Sequence, residues 1–125
     1  MSLLKTVLLV NLVFFANLSH ALVMPASGES LIVDQRETLY VNDGDIFDLS
    51  SLNIMPGGGI DIYGNTQNAS FSIIANSFIN IGGYLNLFVS ETTLKARDIS
   101  FSGVITLVSG SEITFNIRKQ SEFFR

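Results

Sequence analysis

Asn42-Asp43-Gly44-Asp45-Ile46-Phe47-Asp48 gathers three carboxylates within six residues of a 125-residue chain. Oxygen ligands so close together are the chemistry of Ca²⁺, which makes Asp43, Asp45 and Asp48 the candidate metal ligands. The full calcium loop alternates acidic residues up to a glycine and closes on a distal Glu, and that pattern is missing here. The residues read more simply as a polar turn, with Asp43-Gly44 at its corner and Asp48 in solvent. Pro56-Gly57-Gly58-Gly59 has the glycine content of a phosphate loop. Neither Gly-Lys-Ser/Thr nor a helical pattern follows it, so it reads as a corner.

Lys95, Arg97 and Asp98 form a mixed-charge cluster. A basic residue beside carboxylate-held Ca²⁺ is the apparatus of some polysaccharide lyases. Lys95 and Arg97 share one parity, however, which leaves Ala96 facing inward and the two charges on an ordinary surface. The one histidine is His20, and there is no cysteine. Loss of His20 with a leader would exclude Ser-His-Asp and Cys-His catalysis and a His/Cys zinc site. No pair of carboxylates stands out for acid–base work. The expectation is a protein that is not an enzyme and uses no cofactor. Asn68-Ala69-Ser70 is a glycosylation sequon, a short motif that recurs by chance.

Tyr40, Tyr63 and Tyr84 recur at intervals of 23 and 21 residues. Tyr40 and Tyr63 have the parity opposite to their apolar neighbours. They are candidates for an exposed aromatic ladder that binds sugar or a protein partner. The plainer alternative is that flat sheet surfaces favour tyrosine.

The elements that must position these residues are short strands. Apolar-x-apolar triplets start at Leu39, Ile60, Ile79 and Ile99, at intervals of 21, 19 and 20 residues. Between them lie Ile46-Phe47-Asp48-Leu49, Leu52-Asn53-Ile54, Phe71-Ser72-Ile73, Leu85-Asn86-Leu87 and Leu94-Lys95-Ala96. Ile105-Thr106-Leu107 and Ile113 to Ile117 follow. Period-2 alternation marks each run as a strand with one buried face. The breaks contain Gly, Asn, Pro or Ser, the residues that make turns. Thr66-Gln67-Asn68 lacks an apolar run and reads as a loop in the second unit.

A unit of about 20 residues with up to three strands fits a short right-handed parallel β-helix of about four coils. Val41, Ile62, Ile81 and Phe101 are the expected buried ladder. An antiparallel β-sandwich, with neighbouring runs paired through the glycine turns, is the alternative.

Residues 1–21 have the layout of a signal peptide: Lys5 in a short n-region, the apolar run from Thr6 to Leu18, and Ser19-His20-Ala21 at the cleavage point. An uncleaved anchor is the rival reading, and would be the protein's one link to a membrane. Cleavage leaves eleven acidic and, without Lys5, six basic side chains, a net charge of −5. That balance argues against nucleic-acid binding, which needs a basic face. With no cysteine to staple it, an exported fold of this size must rely on packing.

SLNIMPGGGIDIYGN, SFINIGGYLNLFVS and DISFSGVITLVSGSEI resemble the repeats of filamentous-haemagglutinin and autotransporter-passenger proteins of bacterial surfaces. The resemblance spans about residues 38–117 and is one of pattern. It implies a right-handed β-helix with a secreted, surface-exposed, adhesin-like or structural role, and a cell-surface glycan or another exported protein as partner. A small extracellular carbohydrate-binding or polysaccharide-active β-helix is the alternative. The chain departs from those families in lacking a recognisable two-partner secretion motif and a translocator barrel. Four coils rising about 4.8 Å each reach only about 20 Å, which implies a short or truncated member of a larger exported family. Residues 22–37 are expected to form an N-terminal cap with Leu31-Ile32-Val33 as first strand. Residues 118–125 are expected to be a tail or a cap over the far end.

Overall fold

The structure is a computed structural model and describes residues 20–118. The expected signal peptide lies outside the described residues except for His20 and Ala21, and the expected tail lies outside them beyond Arg118. The described chain is all-β, with strands only. No helix in it is long and apolar enough to cross a membrane.

The chain winds as a β-solenoid of about five turns of about 21 residues, the first of them partial. That partial turn contributes β1 (His20–Ala21). The next holds β2 (Leu31–Val33), β3 (Arg36–Val41) and β4 (Asp45–Leu49). Then come β5 (Leu52–Ile54), β6 (Gly59–Gly64) and β7 (Ser70–Ala75), followed by β8 (Phe78–Ile81), β9 (Tyr84–Phe88) and β10 (Glu91–Ala96). The last turn is β11 (Asp98–Phe101), β12 (Val104–Leu107) and β13 (Glu112–Ile117). From β2 onward each strand pairs in parallel with the strand three places later. Three sheets result, ordered β1-β3-β6-β9-β12, β2-β5-β8-β11 and β4-β7-β10-β13. The antiparallel sandwich is therefore not the fold.

Alternation decides which side chains meet. Leu31, Leu52, Ile79 and Ile99 stack in one column of the β2-β5-β8-β11 sheet. Leu39, Ile62, Leu87 and Leu107 stack in the first sheet, and Phe47, Ile73, Leu94 and Phe115 in the third. Each fully buried Leu or Ile stabilises the tube by about 1.5–3 kcal/mol relative to exposure. Most side chains of opposite parity face outward, and some of them form polar ladders. Ile32, Asn53, Asn80 and Ser100 share one outer column. In it the Asn80 amide donates to Asn53 at 2.9 Å, and the Ser100 hydroxyl donates to Asn80 at 3.0 Å.

The corner between β8 and β9 shows why glycine recurs there. A Cβ at Gly83 would lie 1.9 Å from the Gly58 carbonyl oxygen of the coil below. The corner is drawn tight by the Tyr84 amide, which donates to that same oxygen. Only a residue without a side chain admits this approach.

The expected ladder of Val41, Ile62, Ile81 and Phe101 is corrected. All but Phe101 are buried, but they belong to two sheets. Val41 stands opposite Gly64, while Ile62 stands between Leu39 and Leu87. Ile81 and Phe101 do stack, in the column of Val33 and Ile54. The coils are unequal: 21 residues separate Leu31 from Leu52, 27 separate Leu52 from Ile79, and 20 separate Ile79 from Ile99. The loop at 65–69, expected from Thr66-Gln67-Asn68, lengthens the middle one. Counting in steps of 20 from Leu39 therefore slides from one face to the next.

The expected first strand Leu31-Ile32-Val33 is β2. β3 runs across the expected boundary at residue 37. β1 lies on the leader side of the expected cleavage point and pairs with Glu37 and Thr38. Cleavage after Ala21 would remove it and leave Leu22, whose amide donates to the Thr38 carbonyl at 2.7 Å, as the first paired residue.

Candidate functional site

The outer face of the β1-β3-β6-β9-β12 sheet carries three neighbouring columns, one from every second residue of β3, β6 and β9. The first is Arg36, Gly59 and Tyr84, the second Thr38, Asp61 and Asn86, the third Tyr40, Tyr63 and Phe88. In-register parallel pairing sets one residue of each column directly above another, so like side chains can touch along the tube axis.

In the third column they do. The Tyr40 and Tyr63 rings stack with centroids 5.6 Å apart and planes 26° from parallel. Tyr63 and Phe88 stack at 4.7 Å and 8°. All three rings are solvent-facing, at 63%, 38% and 39% exposure, whereas the flanking Leu39, Val41, Ile60, Ile62, Leu85 and Leu87 are buried. Beyond Phe88, Val108 lines a groove of about 120 Å³ with Gln67 and Ser109. The result is a continuous strip of stacked apolar surface on the outside of a water-facing sheet.

A polar cluster borders the strip. Asp61 is buried although its parity is outward. Its carboxylate accepts from the Arg36 Nε at 3.3 Å and from the Asn86 amide at 2.8 Å. Arg36 itself is largely exposed, so this ion pair sits at the surface with one buried partner. Asp61 raises the Arg36 pKa, chiefly through this hydrogen bond. The Tyr84 ring lies over Gly59, where a Cβ would come within 2.1 Å of it. That glycine makes room for the ring. The Tyr84 hydroxyl is shielded from solvent and has no hydrogen-bond partner among the described residues. Burial first, and the Asp61 charge second, hold its pKa above the usual 10.0. A shielded, protonated phenol without a partner is a donor held in reserve beside a row of rings.

The structure thus brings together Tyr40 and Tyr63, the two tyrosines expected to form an outer ladder. It places Tyr84 in a different column and gives the third place to Phe88. The signal for Phe88 was present in its parity opposite to Leu85 and Leu87. Only the true register shows that it falls above Tyr63. Arg36, Asp61 and Asn86 carried no motif: they lie 25 residues apart in each step and meet through pairing alone.

The three candidate metal ligands do not converge. Asp43 accepts from the Ser70 amide and hydroxyl at 3.0 and 3.1 Å. Asp45 accepts from the Asn42 amide at 2.8 Å, closing its own turn. Asp48 faces Ser27, whose hydroxyl donates at 3.4 Å. No group of three or more His, Cys, Asp or Glu among the described residues is arranged to hold a metal ion. Lys95 points outward from β10 in the third sheet, with Ala96 buried beside it.

Set beside known proteins, the chain matches no protein-family model, no curated protein and no solved structure.

Proposed function

We propose that this chain is an exported, surface-exposed and non-catalytic β-solenoid, an adhesin-like scaffold that meets its target through the strip of Tyr40, Tyr63 and Phe88. The observation that carries the reading is the stacking of these rings on the outside of the sheet, beside Arg36, Asp61 and Asn86. Flat rings pack against the apolar faces of sugar rings. The adjoining carboxylate, amide and guanidinium suit hydroxyl groups, which both donate and accept. A cell-surface polysaccharide is therefore the favoured target. A protein partner is the second reading, since exposed aromatic strips also anchor protein interfaces.

The test is retention of the protein on a panel of immobilised neutral and acidic polysaccharides. At least one should retain it, and Tyr40→Ala with Tyr63→Ala should abolish retention while the β-rich circular-dichroism spectrum stays unchanged. Retention that survives the loss of both rings, or no retention on any polysaccharide, rejects the glycan reading.

A further inference from the structure

Charge on the sheet that carries the aromatic strip is gathered at one side. Arg36 is the one Lys or Arg in its five strands. Two acids share the sheet, Glu37 and Asp61. Glu37 has the inward parity and accepts from the Gln35 amide at 3.1 Å. Asp61 is fully engaged: its Oδ2 accepts from the Arg36 Nε and its Oδ1 from the Asn86 amide, and its side chain is only 6% exposed. Arg36 is 61% exposed. Its bond to Asp61 uses Nε, so among the described residues its two terminal nitrogens have no acceptor.

That anchoring has consequences for a ligand. The bond through Nε holds the guanidinium in place and leaves its Nη1–Nη2 edge to solvent. A group already held loses less freedom when it takes a second partner. An arriving anion meets the exposed cation first and the covered Asp61 carboxylate behind it, and the nearer charge dominates. Asp48, Glu91 and Glu112 stand on another sheet, and salt weakens their reach over about 8 Å. The Tyr84 hydroxyl points to the same kind of ligand. Its ring lies over Gly59, the residue paired with Arg36, and the charges that reach it are those of Asp61 and Arg36. It too has no acceptor among the described residues. A buried donor without an acceptor calls for one to arrive.

We infer that the glycan met by the strip is a polyuronate, and that Arg36 takes one of its carboxylates in a two-pronged bond through Nη1 and Nη2. The inference rests on the glycan reading and narrows it. A planar carboxylate matches the two parallel N–H groups of a guanidinium edge. Tyr40 lies four residues along β3 from Arg36, about 13 Å. A chain of sugars spans that distance, and a single small acid does not. An exposed ion pair is weak by itself, so Arg36 selects among the glycans that the rings hold.

The experiment compares each polymer with itself. Polygalacturonate and alginate are immobilised as they are, and again after reduction of their carboxyl groups to primary alcohols. The dissociation constant of the protein is measured on all four. The carboxylated forms should bind about tenfold more tightly, and raising the salt should shrink that advantage. Arg36→Gln should erase the advantage and leave binding to the reduced forms unchanged. Arg36→Lys keeps a cation beside Asp61 but has no fork, and should lose most of the advantage. It also carries the test if Arg36→Gln fails to fold. Equal affinity for a polymer and its reduced form, or binding to neutral polysaccharides only, overturns the inference and leaves the glycan reading standing. An advantage that survives either substitution in full overturns it too, as does equal binding to a sulfated galactan without carboxylates, since charge alone would then suffice. Failure to bind any polysaccharide, neutral ones included, removes the glycan reading and this inference with it.

Discussion

The coil of β8 to β10 and the coil of β11 to β13 are built from the same pattern and reach opposite fates. Ile81 and Leu94 are completely buried in the former. Phe101 and Phe115, directly above them in the same columns, lie open in the latter. The side chains alternate identically, so the difference cannot come from the strands themselves. It comes from what stands above: among the described residues, no coil lies beyond β11, β12 and β13. In a solenoid each coil finishes the core of its neighbour, and burial belongs to the stack rather than to the coil.

The sharpest way to break this comparison is at the corners. Gly83→Ala drives a methyl group into the Gly58 carbonyl, with a coil on either side to resist any shift. It should cost about 3 kcal/mol or more, or prevent folding, as read by urea denaturation. Gly103 meets the Gly83 carbonyl as closely, at 1.7 Å from an added Cβ, but among the described residues no coil stands above its own to resist a shift. Gly103→Ala should cost clearly less. Equal losses at the two corners would mean that the last coil is held as firmly as the inner ones.

Truncating core side chains should show the same asymmetry on a smaller scale. Ile81→Ala leaves a cavity between two coils and should lower stability by about 2–5 kcal/mol in chemical denaturation. Phe101→Ala removes a ring already more than half in water. It should cost about 1 kcal/mol, because little buried area is lost. A loss at Phe101 as large as that at Ile81 would show that more than the described residues packs on its ring.

Thr92 offers a gain. It faces inward between Phe71 and Ile113, and its hydroxyl is buried without a partner among the described residues. Thr92→Val keeps the shape and removes the unsatisfied group, so stability should rise by about 1 kcal/mol. The smallest effect concerns pH. The Tyr84 pKa is raised by burial in the folded chain, so the folded state holds the proton more tightly than the unfolded one. The stability this gives is full below the ordinary tyrosine value and falls away as pH rises through the folded value. Tyr84→Phe should flatten that alkaline loss. It should also delete from the spectrophotometric titration a component lying above pH 10.0.

Much of the fold could be read from the chain because alternation is local. Leu52-Asn53-Ile54, Leu85-Asn86-Leu87 and Ile105-Thr106-Leu107 announce strands within three residues each, and Asn42-Asp43-Gly44 announces a turn. Register could not be read in this way. An Ile-x-Ile triplet looks the same on all three sheets, so nothing local says which face Ile62 or Ile81 joins. The loop at 65–69 changes the count between coils, and the error accumulates past it. The candidate site suffered for the same reason: Tyr40 and Tyr63 were visible through parity, while Phe88, Arg36, Asp61 and Asn86 waited on register.

By itself the sequence determined the strand type, the parity of the apolar triplets and the absence of cysteine chemistry, because each depends on a few adjacent side chains. The tertiary structure alone decided which residues stack, which aromatic rings touch and which polar groups meet across coils. Those depend on contacts across 20 to 27 residues. At that distance one inserted turn moves every later side chain to a new neighbour.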